Sequence, residues 1–300
     1  MSTVVITGSN GFVGSHLFQE LDSQGHKVHG FDLKYRQDVR NYDQLRTYLE
    51  SMDPDYIYHL AAQAWPRESL TDPKRAIDVN VTGALNLLEA VRNLGSNAKI
   101  LMTGTAEEYG YGTQTSSLLD ETSPCLPETP YGVSKLAQTS LGSVYHKKFG
   151  LHVVMTRAFN HTGPGQSTIY AVPAFAKRVV EVEQGKREKV SHGDLSALRN
   201  YSDVRDVVKA YTRVIDQEPG IYNVCSDTTV SMQTVLDMLI SMASVSVNTE
   251  QQSALGWSNP ENYPKPSYGK LHDATGWTPS YTLEETLRDV LNYWRTRENY

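Results

Sequence analysis

Tyr131 and Lys135 in "PYGVSKLAQ" stand four residues apart, which places them on one face of a helix. A free phenol, with a pKa of about 10, is a poor base near neutrality. An ammonium beside it favours the phenolate, so the pair can pass a proton to or from a substrate oxygen. Thr105 closes the apolar run "KILMTGT" and so falls at the carboxyl end of a strand, the end from which open parallel sheets take their ligands. Its hydroxyl could hydrogen-bond the oxygen that Tyr131 serves. Glu107 lies two residues on. If the extended conformation continues, it shares the face of Thr105 and Glu108 turns away into solvent. The plain alternatives are a surface helical pair for Tyr131 and Lys135 and a solvated loop acid for Glu107.

"VVITGSNGFVGSHL" puts Gly8, Gly11 and Gly14 directly after an apolar run and at the opening of a helical one. Positions without side chains let a backbone turn tightly and approach a pyrophosphate, and the helix N-terminus offers unpaired N–H groups. The setting, strand before and helix after, separates this pattern from a chance one. Asp32 ends the next strand in "VHGFDLK", where a carboxylate can accept from the ribose hydroxyls of an adenosine. Asp32 favours NAD, since a 2′-phosphate would meet a like charge. Lys34 and Arg36 could neutralise that phosphate and leave NADP open. An oxidised, cationic nicotinamide would add to the pull of Lys135 on the phenol.

These groups need a scaffold that brings them together. "TVVITG", "KVHGFDL", "DYIYHLAA", "KILMTG" and "LHVVMTRAFN" are short β-branched or apolar runs bounded by Gly, Asp or Asn, as strands are. Between them, "GSHLFQELDSQG", "NYDQLRTYLESMD", "IDVNVTGALNLLEAVRNLG" and "YGVSKLAQTSLGSVYHKKFG" carry apolar residues at helical spacing. The alternation predicts an α/β fold, a Rossmann-type doubly wound parallel sheet with helices on both faces. After about residue 160 the texture changes. "HTGPGQSTIYAVP" and "WSNPENYPKPSYG" read as long loops, "AFAKRVVEVEQG" and "TTVSMQTVLDMLISMA" as helices, and "GIYNVCS" as a strand. Residues 1–160, with a return over about 204–225, are expected to form a dinucleotide-binding domain. Residues 161–203 and 226–300 are expected to form a smaller, mixed α/β substrate-binding domain.

The chain has 300 residues, 39% of them hydrophobic, enough for a sizeable core. A net charge of −6 argues against a general nucleic-acid binder. No run reaches the roughly 18 apolar residues of a membrane span, and "TVVITG" begins without a signal-peptide core. Two cysteines, Cys125 and Cys225, suit a reducing compartment better than a disulfide framework; the expectation is a soluble, cytoplasmic protein. The nine histidines show no metal-ligand spacing, so no metal is expected. His161 is expected to pack or to hydrogen-bond, and Trp65 either to cover a ligand or to pack.

"TGSNGFVGSHL", "HLAAQA", "NVTGALNLLEA", "TAEEYG" and "PYGVSK" together resemble the extended short-chain dehydrogenase/reductase family, over nearly the whole chain. The resemblance implies bound NAD or NADP, with Thr105, Tyr131 and Lys135 as the catalytic triad and Lys135 also on the nicotinamide ribose. It implies Asp38 and Val39 beside the adenine, Ala61 and Ala62 along the cofactor cleft, and Asn80 in support. Asn10, Phe12, Val13, Leu60 and Thr103 join the cofactor set on the same ground. A homodimer is implied through the helices of "VTGALNLLEAV" and "KLAQTSLGSVY".

"TRAFNHTGPGQS", "FAKRVVEVEQG", "GDLSALRNYSDVRDVVKAY" and "YNVCS" are similar to the nucleotide-sugar branch, in particular the GDP-mannose 4,6-dehydratase and GDP-4-keto-6-deoxymannose reductase families. Carried over, Asn160, Val172 and Lys177 would contact a nucleotide-diphosphate sugar, GDP-linked in preference, and Arg199 its diphosphate. A guanidinium fork matches phosphate oxygens; pairing of Arg199 with Asp203 or Asp206 is the alternative. The family's Arg-Pro-x-Glu-like segment is replaced by "WSNPENYPKP", which keeps Pro260 and Glu261 and offers Lys265 where the Arg is missing. The dehydratases use Thr-x-Glu to remove a C5 proton, the role Glu107 would take. "NHTGPGQ" and "LRNYSDVRD" lean instead toward a reductase of a GDP-4-keto-6-deoxyhexose. Reductase is the first reading, 4,6-dehydratase the second and 4-epimerase the third. A non-catalytic dinucleotide binder is the rival class, which would be expected to lack the Tyr–Lys pair that this chain keeps.

Overall fold

The computed structural model describes residues 1–110, 118–252 and 264–297. Six strands form one parallel sheet: β1 (Thr3–Thr7), β2 (Lys27–Phe31), β3 (Tyr56–His59), β4 (Lys99–Thr105), β6 (Val153–Ala158) and β10 (Gly220–Val224), in the order β10-β6-β4-β3-β1-β2. Side chains alternate across each strand, and here both faces are covered. Val4, Ile6, Leu101 and Val154 point into one core with α1 (Phe12–Ser23) and α8 (Val204–Val214). Val5, Ile57, Ile100, Met102 and Val153 point into the other with α2 (Tyr42–Met52), α5 (Gly83–Leu94) and α6 (Pro130–Phe149). That double burial is why the strands read as near-continuous apolar runs. The α/β parallel-sheet expectation holds.

Two short helices, α3 (Pro66–Thr71) and α4 (Pro73–Ile77), precede a π-helical turn at Asp78–Thr82 that runs into α5. The helix expected from Ile77 to Gly95 is therefore interrupted where Asn80 is wholly buried. Asn80 Oδ1 accepts from Gln63 N at 2.8 Å, and Nδ2 donates to Gln63 O and to Ser134 Oγ.

The second lobe packs α7 (Ala171–Glu183), α9 (Met232–Ser241) and α11 (Leu283–Arg297) around Val179, Val180, Leu236, Leu239 and Leu287. Small sheets flank it: β7 (Asn160–Thr162), β9 (Leu198–Asp203) and β11 (Thr229–Ser231) in one, β8 (Lys189–His192) with β12 (Asn248–Gln251) in another. A two-residue strand β5 (Leu118–Leu119) pairs with β13 (Lys265–Pro266). The C-terminal part does not stay wholly within this lobe. After α10 (Gly269–Thr275), Trp277 is buried in the α1–α8 core beside Leu271, its Nε1 donating to Asp206 O at 3.1 Å.

Candidate active site

Beyond the carboxyl ends of β1 and β4 lies a cavity of about 830 Å³. The glycine turn forms one wall. Gly8 adopts φ +73°, and a Cβ there would sit 2.8 Å from Ala61 N; a Cβ on Gly14 would sit 2.2 Å from Gly8 O. Neither site admits a side chain, so the turn can close tightly on the first helix. Gly11 caps α1 with no side-chain hydrogen bond, leaving the first N–H groups of the helix without a side-chain acceptor. Asp32 is tied to the same turn: its Oδ2 accepts Asn10 N at 3.0 Å and its Oδ1 accepts Lys34 N at 2.9 Å. Lys34 Nζ reaches Asn10 Oδ1 at 3.3 Å. Phe12, Val13, Leu60, Ala61 and Ala62 line the adjoining wall, and Asp38 and Val39 its far end. Arg40 grips Asp38 at 2.6 Å, and that hydrogen bond holds the Asp38 carboxyl below its ordinary value. Asn10 itself does not line the cavity; its side chain is engaged by Lys34. Asn80 also lies behind the wall, bracing the first turn of α6 through Ser134, whose Oγ donates to Tyr131 O at 2.7 Å.

Thr103, Thr105, Glu107, Tyr131 and Lys135 line the centre of the cavity. Thr129 caps α6, accepting Gly132 N at 3.0 Å, with Pro130 in the first turn; Tyr131 N donates to Ser69 Oγ at 3.0 Å. Gly132 lets the helix approach the β4 end, since a Cβ there would lie 2.8 Å from Glu107 O. Lys135 is 2% exposed. Its Nζ donates to Gln138 Oε1 at 3.0 Å, and Gln138 Nε2 donates to Thr103 O at 3.0 Å.

Burial sets the electrostatics. It pushes the Tyr131 phenol well above its ordinary value, against a hydrogen bond from Thr105 that pulls it down. It lowers the Lys135 ammonium to about 8, with the Glu108 charge opposing. In the cofactor-free protein desolvation is the largest influence on the phenol, and it acts against ionisation.

The expected geometry after Thr105 is also corrected. The strand does not continue; Ala106–Glu108 form a 3₁₀ turn capped by Thr105. Glu107 still lines the cavity, its carboxyl raised by desolvation and drawn back by Arg199. Glu108, expected in solvent, is fully buried. It reaches back to Thr105 N at 3.0 Å and accepts Thr139 Oγ1 and Arg157 Nε at 3.0 and 2.9 Å. The sign was present in Thr105-x-x-Glu108, a capping-box spacing, and in the lone Arg157 of the apolar "VVMTRAF", a buried charge that needs a partner.

Of the expected sugar-nucleotide residues, Asn160 and Val172 line the cavity. Lys177 lies outside its lining, on α7, 3.9 Å from Glu181 and near the Trp294 ring. Arg199 also stands off the lining. Its Nη1 donates to Leu198 O at 2.7 Å, and its charge reaches Glu107. Neither expected partner is in its hands, because Arg205 pairs with Asp203, and Ser280 and Tyr281 bond Asp206. Trp65 lies outside the lining. His161 does line it, its ring stacked at 6.2 Å on Phe12 and its Nδ1 bonded to Phe159 O. Lys265 sits in β13 beside β5, and Pro260 and Glu261 fall outside the described residues. Tyr170, unremarked in the sequence, lines the cavity, and its phenol acts on that of Tyr131.

Comparison with known proteins decides the family. A family model described as GDP-mannose 4,6 dehydratase matches residues 33–290. The chain belongs to the GDP-mannose 4,6 dehydratase family. This family member is 32% identical over 295 residues to GDP-6-deoxy-D-mannose reductase of Pseudomonas aeruginosa, covering 97% of each chain. It is 27% identical to a GDP-mannose 4,6-dehydratase of Vibrio cholerae over 78% of its own length and 70% of the relative's. Among solved structures it superposes on RMD from Pseudomonas aeruginosa complexed with NADPH, with a TM-score of 0.90 and 31% identity, covering 99% of this chain and 100% of that one. It also matches a Thermus thermophilus UDP-glucose 4-epimerase in complex with NAD, with a TM-score of 0.86 and 28% identity over 98% and 99% of the two chains. The family member's glycine cradle, uncapped α1 terminus and Asp32 fit a dinucleotide: the turn carries no side chain at Gly8, Gly11 or Gly14, and the first N–H groups of α1 have no side-chain acceptor.

Proposed function

We propose that this protein is an NAD(P)-dependent reductase of the 4-keto group of a GDP-4-keto-6-deoxyhexose. The observation that carries the reading is the likeness, along nearly the full length of both chains, to GDP-6-deoxy-D-mannose reductase. The upward push of burial on the Tyr131 phenol agrees with it, since a reductase draws a proton from that phenol.

The glycine turn and the α1 terminus would hold the pyrophosphate, Asp32 the adenosine ribose, Asp38 and Val39 the adenine edge, and Lys135 the nicotinamide ribose. Bound NADPH or NADH supplies the hydride. Tyr131 delivers its proton to the substrate's C4 oxygen, Thr105 hydrogen-bonds that oxygen, and Lys135 stabilises the phenolate left behind. Asn160, Val172 and Lys177 would contact the sugar nucleotide, and Arg199 its diphosphate. Residues 1–160 with 204–225 form the dinucleotide half, and 161–203 with 226–300 the substrate half, apart from the Leu271–Trp277 return.

Glu107 supports a second reading, 4,6-dehydratase. It lines the cavity beside Thr105, its carboxyl is raised, and a base there could take a C5 proton made acidic by a C4 ketone. The two readings separate by mass. The protein is incubated with GDP-mannose and catalytic NAD(P) without reductant; loss of one water means dehydratase. Turnover only of a GDP-4-keto sugar with NADPH or NADH supports the reductase, and turnover of UDP- or dTDP-sugars alone would reject the GDP assignment.

The working form is a cytoplasmic homodimer. Leu85 on α5 and Val133, Val144 and Phe149 on α6 are exposed by 37%, 46%, 49% and 51%, apolar surface that a copy of the same face would cover. Sedimentation at a mass of one chain would remove this part.

A further inference from the structure

We infer that Glu108 is a positioning residue for the reaction, acting through Thr105 and Lys135 from behind the cavity wall. The inference rests on the roles assigned above to Thr105, Tyr131 and Lys135. It deepens that reading with a residue that touches neither substrate nor cofactor.

Three elements converge on this carboxylate. From β4, Thr105 N donates to Oε1 at 3.0 Å. From α6, Thr139 Oγ1 donates to the same oxygen at 3.0 Å. From β6, Arg157 Nε donates to Oε2 at 2.9 Å. The Arg157 guanidinium lies over the Tyr109 ring, 4.6 Å from its centroid, and its Nη1 reaches Glu121 O. Glu108 and Arg157 side chains are 0% and 5% exposed, so their charges act on each other and on their neighbours through a poorly screening medium. The fit allows no substitute at Gly104, where a Cβ would fall 2.3 Å from Oε1 and 2.5 Å from Thr156 O.

The consequence for the site is twofold. Thr105 is held by its own main-chain N–H, so its hydroxyl is presented to Tyr131 from a clamped backbone rather than from a loose strand end. Thr139 stands one turn beyond Lys135 on the same helix, so the clamp also fixes the distance from β4 to the shuttle. The second effect is electrostatic. Among the described residues, Glu108 from the 3₁₀ turn acts on the Lys135 charge and that charge acts on His59 from β3, while Tyr131 shares the helix face and the cavity. Glu108 is the carboxylate that opposes the loss of its proton. Arg157, from the far side, holds the other oxygen of that carboxylate.

Glu108→Gln alone would leave the Arg157 charge buried without its carboxylate, which endangers folding. The informative protein is therefore the double variant E108Q/R157Q, in which both charges go and two amides can bond each other, Thr105 N and Thr139. Full-length wild type and double variant are labelled with [13Cε]lysine, and Lys135 is followed by NMR, its resonance assigned by its loss in Lys135→Met. This readout needs no substrate, so it stands whether or not the reductase reading survives. We expect the Lys135 midpoint to fall by about one pH unit or more in the double variant, as a cation that loses its neighbouring carboxylate should. With the nucleotide-sugar ketone that the wild type reduces, kcat should drop about tenfold or more while NADPH affinity stays within about twofold, a split expected of lost alignment. A folded double variant with an unmoved Lys135 midpoint and wild-type kcat overturns the inference. Failure of the wild type to reduce any 4-keto sugar overturns the functional reading instead and leaves the NMR result to decide the role of Glu108. If the double variant does not fold, Thr139→Val, which removes one donor to Glu108 and keeps its charge, takes its place. A kcat unchanged in T139V then counts against the clamp.

Discussion

Gln138 joins Lys135 to the sheet: its Oε1 accepts Lys135 Nζ at 3.0 Å while its Nε2 donates to the Thr103 carbonyl at 3.0 Å. A hydrogen bond to a charged group is worth about 1.5–3 kcal/mol, and this one also aims the ammonium. Gln138→Leu should therefore lower kcat by about 10- to 100-fold, with dinucleotide affinity reduced far less. Steady-state kinetics beside a fluorescence titration with NADPH would check it; equal losses in both would mean that Gln138 serves binding rather than alignment.

Tyr131→Phe keeps the ring and removes the proton. Loss of a positioned acid typically costs about 10²–10⁴-fold, so turnover should fall by at least about 100-fold while cofactor binding and melting temperature stay near wild type. Unchanged turnover would take the phenol out of the mechanism.

Glu107→Gln tells the two chemistries apart. A C4 reductase makes no demand on a C5 base, so the variant should keep its rate within about threefold. A dehydratase losing its base should slow by about 100-fold or more. The measurement is NADPH consumption with a 4-keto sugar, set against water loss from GDP-mannose.

Gly14→Ala forces a methyl to 2.2 Å from Gly8 O, a backbone atom that cannot step aside without opening the turn. The variant should bind dinucleotide at least about tenfold more weakly and melt lower, as overpacked sites typically lose about 1–3 kcal/mol. Normal affinity would show that the turn does not hold the pyrophosphate.

Lys135 carries a pH signature. Burial lowers it from 10.5 to about 8. Below about 8 both folded and unfolded chains hold the proton, and the cost of burying the charge is paid in full. Between about 8 and 10.5 the unfolded chain binds the proton more tightly, so stability rises with pH. Lys135→Met should accordingly be more stable than wild type at pH 7, with the gap narrowing toward pH 10 in thermal melts of the cofactor-free protein. In turnover the sign is opposite, because the working group is the ammonium: kcat/KM should fall as pH rises through about 8. A gap that widens with pH would contradict the buried charge.

Much of this was legible along the chain because it rests on local spacing. The glycine turn follows from three positions and the strand and helix around them, Tyr131 and Lys135 share a helix face by a four-residue step, and the strands announce themselves by runs buried on both sides. Thr105 at a strand end also needed only the length of "KILMTGT". What the tertiary structure decided lies where distant segments compete for one atom. Two adjacent carboxylates, Glu107 and Glu108, are alike in sequence. The 3₁₀ turn and the reach to Arg157, 49 residues away, send the second into the core and leave the first in the cavity. The same holds for Tyr131, whose phenol is governed by how completely other elements exclude water from it, and for Arg199, whose neighbours depend on where β9 comes to lie. Spacing along a chain sets direction within one element, whereas burial and charge pairing are properties of the packed whole.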